Sequence, residues 1–147
     1  MAEILGFQHL SLSVNDLGRS TQWYHETLGL DVGAEFDGNG FRRARLRSPN
    51  SGVTLTLTCH GRQPGEPFDE RRAGLDHVAF RVGGVEDVYE LKRRFEELKV
   101  NHSEVKTSGD AATITLRDPD NIQLEVFGGS FETAVAAPPS RADPFMD

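Results

Sequence analysis

The chain has 147 residues, of which 37% are hydrophobic and 27% charged, with a formal net charge of −7. That length buries a hydrophobic core without staples, and the acidic balance excludes the basic stripe a nucleic-acid binder needs. A single cysteine, Cys59, excludes an intrachain disulfide and suits a reducing compartment. No apolar run reaches a membrane span, and the N-terminus lacks the basic and long apolar regions of a secretion signal, so a cytoplasmic location is expected.

Residues 7–14 alternate as a strand does. Phe7, His9, Ser11 and Ser13 share one face, and Gln8, Leu10, Leu12 and Val14 the other. Asn15 or Asp16 caps a following helix in which Leu17, Tyr24 and Leu28 recur, with Trp23 beside them, and Gly29 ends it. Strands are predicted at about 30–37, 41–48 and 52–59, separated by turns at 37–40 and 49–52. A polar, Pro/Gly-rich stretch, 60–74, reads as a linker. The order then repeats. A strand at 75–82 precedes a helix near 85–99 with Val85, Val88, Leu91, Phe95 and Leu98 on one stripe. Strands near 103–107, 111–117 and 121–127 follow. Residues 131–147 turn Ala/Pro-rich and read as a C-terminal arm.

The predicted fold is therefore α+β. Two tandem β-α-β-β-β modules, at about 5–60 and 75–128 around a linker of about 61–74, form one domain spanning 1–130. A repeat of nearly half the chain indicates two fused copies of one unit.

Each half opens with a histidine, His9 in Gln-His-Leu-Ser-Leu-Ser-Val and His77 in Asp-His-Val-Ala-Phe-Arg-Val. The second half ends with Glu125 inside an apolar run, where a carboxylate is costly unless paired or metal-bound. By alternation His77, Ala79 and Arg81 share a face, as do Gln123, Glu125 and Phe127. Two imidazoles and a carboxylate suit a borderline divalent ion and leave coordination positions open for chemistry. An arginine partner, Arg81 or Arg117, would equally satisfy Glu125. Arg43, Arg45 and Arg47 alternate on one strand, which suits either a solvated face or bidentate grips for an anionic substrate. Cys59 points away from Thr56, and His25 and His102 read as surface residues.

These segments resemble the vicinal oxygen chelate superfamily, which includes glyoxalase I, extradiol dioxygenases, fosfomycin-resistance transferases and bleomycin-binding proteins. The resemblance spans about residues 5–128. It is carried by His9-Leu-Ser-Leu-Ser-Val, Asp16-Leu17, Trp23-Tyr24 and Leu28-Gly29-Leu30, then Leu75-Asp76-His77-Val78-Ala79-Phe80 and Arg117-Asp118-Pro119-Asp120-Asn121 through Glu125. It implies a curved mixed sheet forming a cup around a metal held by His9, His77 and Glu125. Iron(II) or manganese is favoured, with zinc, nickel and cobalt as alternatives. Laying 53–57 on 122–126 puts Thr56 at the family's fourth ligand position, which argues against glyoxalase and epimerase chemistry. The dioxygenase and fosfomycin signatures both want a tyrosine where Thr115 stands.

The expectation is a metal-dependent enzyme acting on a small oxygen-chelating substrate, with dioxygenase-type chemistry favoured. The alternatives are a glyoxalase-like lyase or isomerase, and a non-catalytic drug-binding protein. Arg81 and His60 are the candidate catalytic residues, and Ser11, Thr56, Gln123 and Phe127 the substrate contacts. A homodimer is expected, with no nucleic-acid or membrane partner.

Overall fold

The computed structural model describes residues 1–61 and 65–130. The predicted C-terminal arm at 131–147 lies outside them.

The first module runs β1 (Leu10–Ser13), α1 (Leu17–Leu28), β2 (Asp31–Asp37), β3 (Phe41–Arg47) and β4 (Thr54–His60). The second runs β5 (Val78–Val82), α2 (Val85–Glu97), β6 (Lys106–Ser108), β7 (Ala111–Arg117) and β8 (Gln123–Gly128). Each module builds its own four-stranded sheet, in the orders β1-β4-β3-β2 and β5-β8-β7-β6. The β1–β4 and β5–β8 pairings are parallel and the rest antiparallel. The repeat is thus structural as well as sequential. Among the described residues, β1 and β5 each pair on one side only, so both sheets keep an open edge beside their histidine.

The strands carry the alternation that the sequence shows. On β8, Leu124, Val126 and Gly128 are buried, while Gln123, Glu125 and Phe127 are half-buried. The core gathers Leu12, Leu46, Leu55 and Leu57 under α1, and Ile114, Leu116, Leu124 and Val126 under α2. Fully burying one such side chain contributes roughly 1.5–3 kcal/mol, so the greasy face of each sheet fixes where its helix lies.

Local signals set the helix ends. The Asp16 carboxylate accepts the Arg19 N–H at 2.9 Å, and Gly29 closes α1 in the left-handed conformation at φ 67°. At α2, Asp87 accepts the Gly84 N–H at 2.8 Å. Gly128 lets α2 approach β8. A Cβ there would stand 2.1 Å from the Gly84 carbonyl oxygen, so no larger residue fits without moving the helix.

Both initial strands are shorter than predicted, beginning at Leu10 and Val78, so His9 and His77 sit just outside them. The predicted linker is anchored at its second half. The Phe68 N–H donates to the Asp120 carbonyl at 2.8 Å, and Asn121 Nδ2 donates to the Phe68 carbonyl at 3.0 Å. The modules are further tied by the buried Tyr24, whose hydroxyl donates to Asp118 at 2.9 Å, and by Asn15, whose Nδ2 donates to Asp120 at 2.9 Å. Burial raises the Asp118 carboxyl above its usual range. Burial, with Asp118 beside it, pushes the Tyr24 hydroxyl up as well. Asp118 also accepts the Asp120 and Ile122 backbone N–H groups, so one acid organises the Asp-Pro-Asp-Asn turn and holds α1 to it. Tyr24 is therefore more than the helix-to-sheet packing residue its periodicity suggests.

Candidate metal centre

His77 precedes β5, and the register of β5 with β8 sets Ala79 opposite Glu125. His77 lies two residues before Ala79, just ahead of the strand that runs alongside Glu125. His77 is exposed, and its Nδ1 donates to the Asp76 carboxylate at 2.6 Å. That bond fixes the tautomer and leaves the Nε2 lone pair free to ligate. His9 repeats the device: its Nδ1 donates to the Gln8 side-chain carbonyl. In both halves the residue just before the histidine supplies the acceptor. That signal stood in the sequence, and only the side-chain geometry gives it meaning.

Glu125 is half-buried, and its carboxylate makes no hydrogen bond or ion pair among the described residues. The two arginines that might have neutralised it do otherwise. Arg117 grips Glu70 at 2.7 and 3.0 Å, and also donates to the Gln123 side chain at 2.8 Å and the Asn121 carbonyl at 3.1 Å. The guanidinium holds the Glu70 carboxyl down at about 2. Arg81 is exposed on the Glu125 face, opposite Phe127, and its guanidinium makes no hydrogen bond or ion pair among the described residues. A carboxylate left without a cation, beside an imidazole with a free lone pair, fits a divalent metal.

The third candidate ligand is not brought in by the same chain. Among the described residues, no three His, Cys, Asp or Glu side chains come together as a metal site. His9 belongs to the other sheet, at the open edge of β1.

On the first sheet, Ser11 pairs in register with Thr56, just as Ala79 pairs with Glu125. Thr56 thus occupies the position equivalent to Glu125, as the sequence alignment of the two halves predicts. Its side chain is buried. The Ser11 hydroxyl lies 3.2 Å from that of Thr58. His60 ends β4, exposed, with its ring 6.1 Å from that of Phe41 and on the face of Thr56 and Thr58. Gln123 is held by Arg117 rather than free to meet a substrate. A separate cleft of about 330 Å³ lies between the linker and both modules, bordered by Ser13, Asn15, Phe68, Arg72 and Asp120. None of the candidate metal ligands lines it.

Paired β-α-β-β-β modules, each with its own four-stranded sheet, define a two-module α+β class. The profile of the Glyoxalase/Bleomycin resistance protein/Dioxygenase superfamily matches residues 6–126, and the chain belongs to that superfamily. The Glutathione transferase FosA of Serratia marcescens is 29% identical over 136 residues, covering 88% of this chain and 84% of that protein. The Metallothiol transferase FosB of Staphylococcus haemolyticus is 24% identical over 131 residues, covering 88% and 87%. The crystal structure of a glyoxylase/bleomycin resistance protein/dioxygenase domain from Frankia sp. EAN1pec superposes with a TM-score of 0.81 at 30% identity, over 87% of this chain and all of that one. The FosX fosfomycin resistance protein of Listeria monocytogenes, solved with Mn(II) and sulfate, has the same fold. Its TM-score is 0.66 at 23% identity, over 90% of this chain and 99% of that one.

Proposed function

We propose that the protein is a divalent-metal-dependent transferase that joins a thiol to a small, oxygen-bearing electrophile. The relatives' names support a transferase over the dioxygenase or lyase chemistry expected from the ligand set alone. The observation that carries the metal reading is the half-buried, uncompensated Glu125 beside His77, whose Nε2 is free. His77 and Glu125 of one chain and His9 of a second copy would hold the ion. The open edges of β1 and β5 and the bare Ile4, Leu5 and Phe7, all at least 90% exposed, support the pairing of two copies at that place. When bound, such an ion supplies Lewis-acid polarisation of a substrate oxygen, and manganese fits this donor set.

The chain's own groups account for the rest. Asp76 and Gln8 orient the two imidazoles. Ser11, on the His9 face, carries a hydroxyl that can protonate the oxygen released as the carbon–oxygen bond breaks and the carbon–sulfur bond forms. The thiol proton balances the step. Arg81 projects from the His77 face as a cation for a substrate anion.

Metal binding measured on His9→Ala, Glu125→Gln and their mixture tests this reading. Each variant alone should bind no manganese. An equimolar mixture should recover roughly a quarter of the wild-type sites, because half the dimers are mixed and each of those holds one intact site. Recovery of none, with both variants folded, would overturn the shared site. Binding by Glu125→Gln alone would overturn the ligand assignment.

A further inference from the structure

The second sheet holds an arginine within reach of Glu125 that turns away from it. Arg117 lies on β7 opposite Gln123, and Thr115, two residues earlier on the same face, lies opposite Glu125. Arg117 and Glu125 are therefore diagonal neighbours across the β7–β8 ladder. Such pairs stand roughly 7–8 Å apart at the backbone, a gap that long side chains cross. A half-buried carboxylate without a partner is costly, and a guanidinium within reach is its ordinary remedy.

The linker is what draws Arg117 aside. Glu70 takes both terminal nitrogens of the guanidinium, at 2.7 and 3.0 Å, in the two-pronged geometry that makes such pairs strong. The same nitrogens donate to the Gln123 side chain and the Asn121 carbonyl, so each serves two acceptors. Glu70 is available for this because its neighbours pair among themselves, Arg71 with Asp69 and Arg72 with Glu66, both at 2.9 Å. Phe68 seats the segment on the Asp-Pro-Asp-Asn turn, so Glu70 is delivered by contacts in which Arg117 takes no part. The Arg117 and Glu70 side chains are 25% and 29% exposed, against 68% and 75% for Arg72 and Glu66. The grip on Arg117 is thus the less screened of the two.

We propose that Glu70 is a positioning residue for the metal centre. By gripping Arg117, the linker keeps that cation off Glu125, and the seating of the linker thereby sets the affinity for the ion. The inference rests on the metal reading above and adds a control to it. With the linker seated, the Glu125 carboxylate keeps its lone pairs open. With the linker lifted, Arg117 crosses the ladder and competes with the ion for the same carboxylate.

Calorimetric titration of the full chain with Mn(II) tests this. Glu70→Gln should weaken binding by about three- to tenfold. Glu66→Gln removes the same charge from the same segment and should change binding by less than about twofold, which separates competition by Arg117 from a general loss of negative field. Adding Arg117→Gln to Glu70→Gln should restore affinity to within about twofold of wild type. A linker that only supported the fold would lose more in that double variant, not less. A second arm, without metal, follows the guanidinium NMR signal of Arg117. Glu125→Gln should leave that signal in place in the wild-type background and move it in the Glu70→Gln background. If Glu70→Gln does not fold, Glu70→Asp, which keeps the charge and shortens the reach, carries both arms with a loss of about twofold to threefold. Equal affinity in wild type and Glu70→Gln, an equal loss in Glu66→Gln, or no rescue by Arg117→Gln overturns the proposal. So does an Arg117 signal that ignores Glu125 in both backgrounds. No manganese binding by wild type overturns the metal reading itself, and the metal-free arm then still decides whether Glu70 holds Arg117 off Glu125.

Discussion

Thr56 and Glu125 occupy the same place in two sheets built to one register, and so do Arg43 and Thr113, and Arg45 and Thr115. The first module has a threonine at this place, with Arg45 opposite it and Arg43 two residues along. The second keeps the carboxylate and puts neutral threonines where those cations would be. An arginine at 115, directly opposite Glu125, would set a cation beside the acid. The two sheets share one register and differ in charge at these positions of it.

Removing Glu125 breaks this division most completely. Glu125→Gln should abolish metal binding, a larger loss than the 10–100-fold typical of groups that only orient a ligand. Calorimetric titration with Mn(II) checks it, and restoring a carboxylate in the first module by Thr56→Glu should not rescue it, because that acid faces Arg45 across the strands.

The helix contacts differ next most. Gly128→Ala forces a Cβ against the Gly84 carbonyl, with an expected loss of roughly 2–4 kcal/mol. The equivalent residue in the first module is Cys59, which is half-buried with its Sγ 3.4 Å from the Asn15 carbonyl. Cys59→Ala should cost about 1 kcal/mol. Denaturant unfolding of the pair measures the contrast.

The histidine supports come third. Asp76→Asn should weaken metal binding by about 10–100-fold, while Gln8→Ala, which removes a neutral acceptor, should cost less than the loss of the charged one.

The smallest effect is a pH dependence at the ion pair that ties the linker to the second module. Glu70 is held down at about 2 by Arg117, below its usual carboxylate range. The folded state therefore binds this proton more weakly than the unfolded state. The resulting stability is present above about pH 4.5 and is lost as the pH falls towards 2. Glu70→Gln should flatten that part of the acid-unfolding profile. An unchanged profile would show that the exposed pair is screened by solvent.

Much of this molecule is written locally. The two-residue alternation of Leu10–Ser13 and Gln123–Gly128, the Asp16 cap and the left-handed Gly29 each depend on neighbours a few residues away, so the repeated β-α-β-β-β order could be read before any contact was known. The paired histidines were legible for the same reason, since a repeat compares a chain with itself. The hydrogen-bonding fate of the arginines was not. Arg117 and Arg81 were equal candidates to neutralise Glu125, and only the return of the linker, which brings Glu70 to Arg117 from 47 residues away, left Glu125 uncompensated. Tyr24 reaches Asp118 across 94 residues, and alternation cannot tell a packing tyrosine from one that holds a buried acid. Arg43 looked like a member of a solvated row until Phe36, Phe41 and Thr58 closed around it. Sequence alone determined the elements and the faces, because those follow from periodicity. Tertiary structure decided which charges meet, because pairing depends on the distance between segments far apart in the chain.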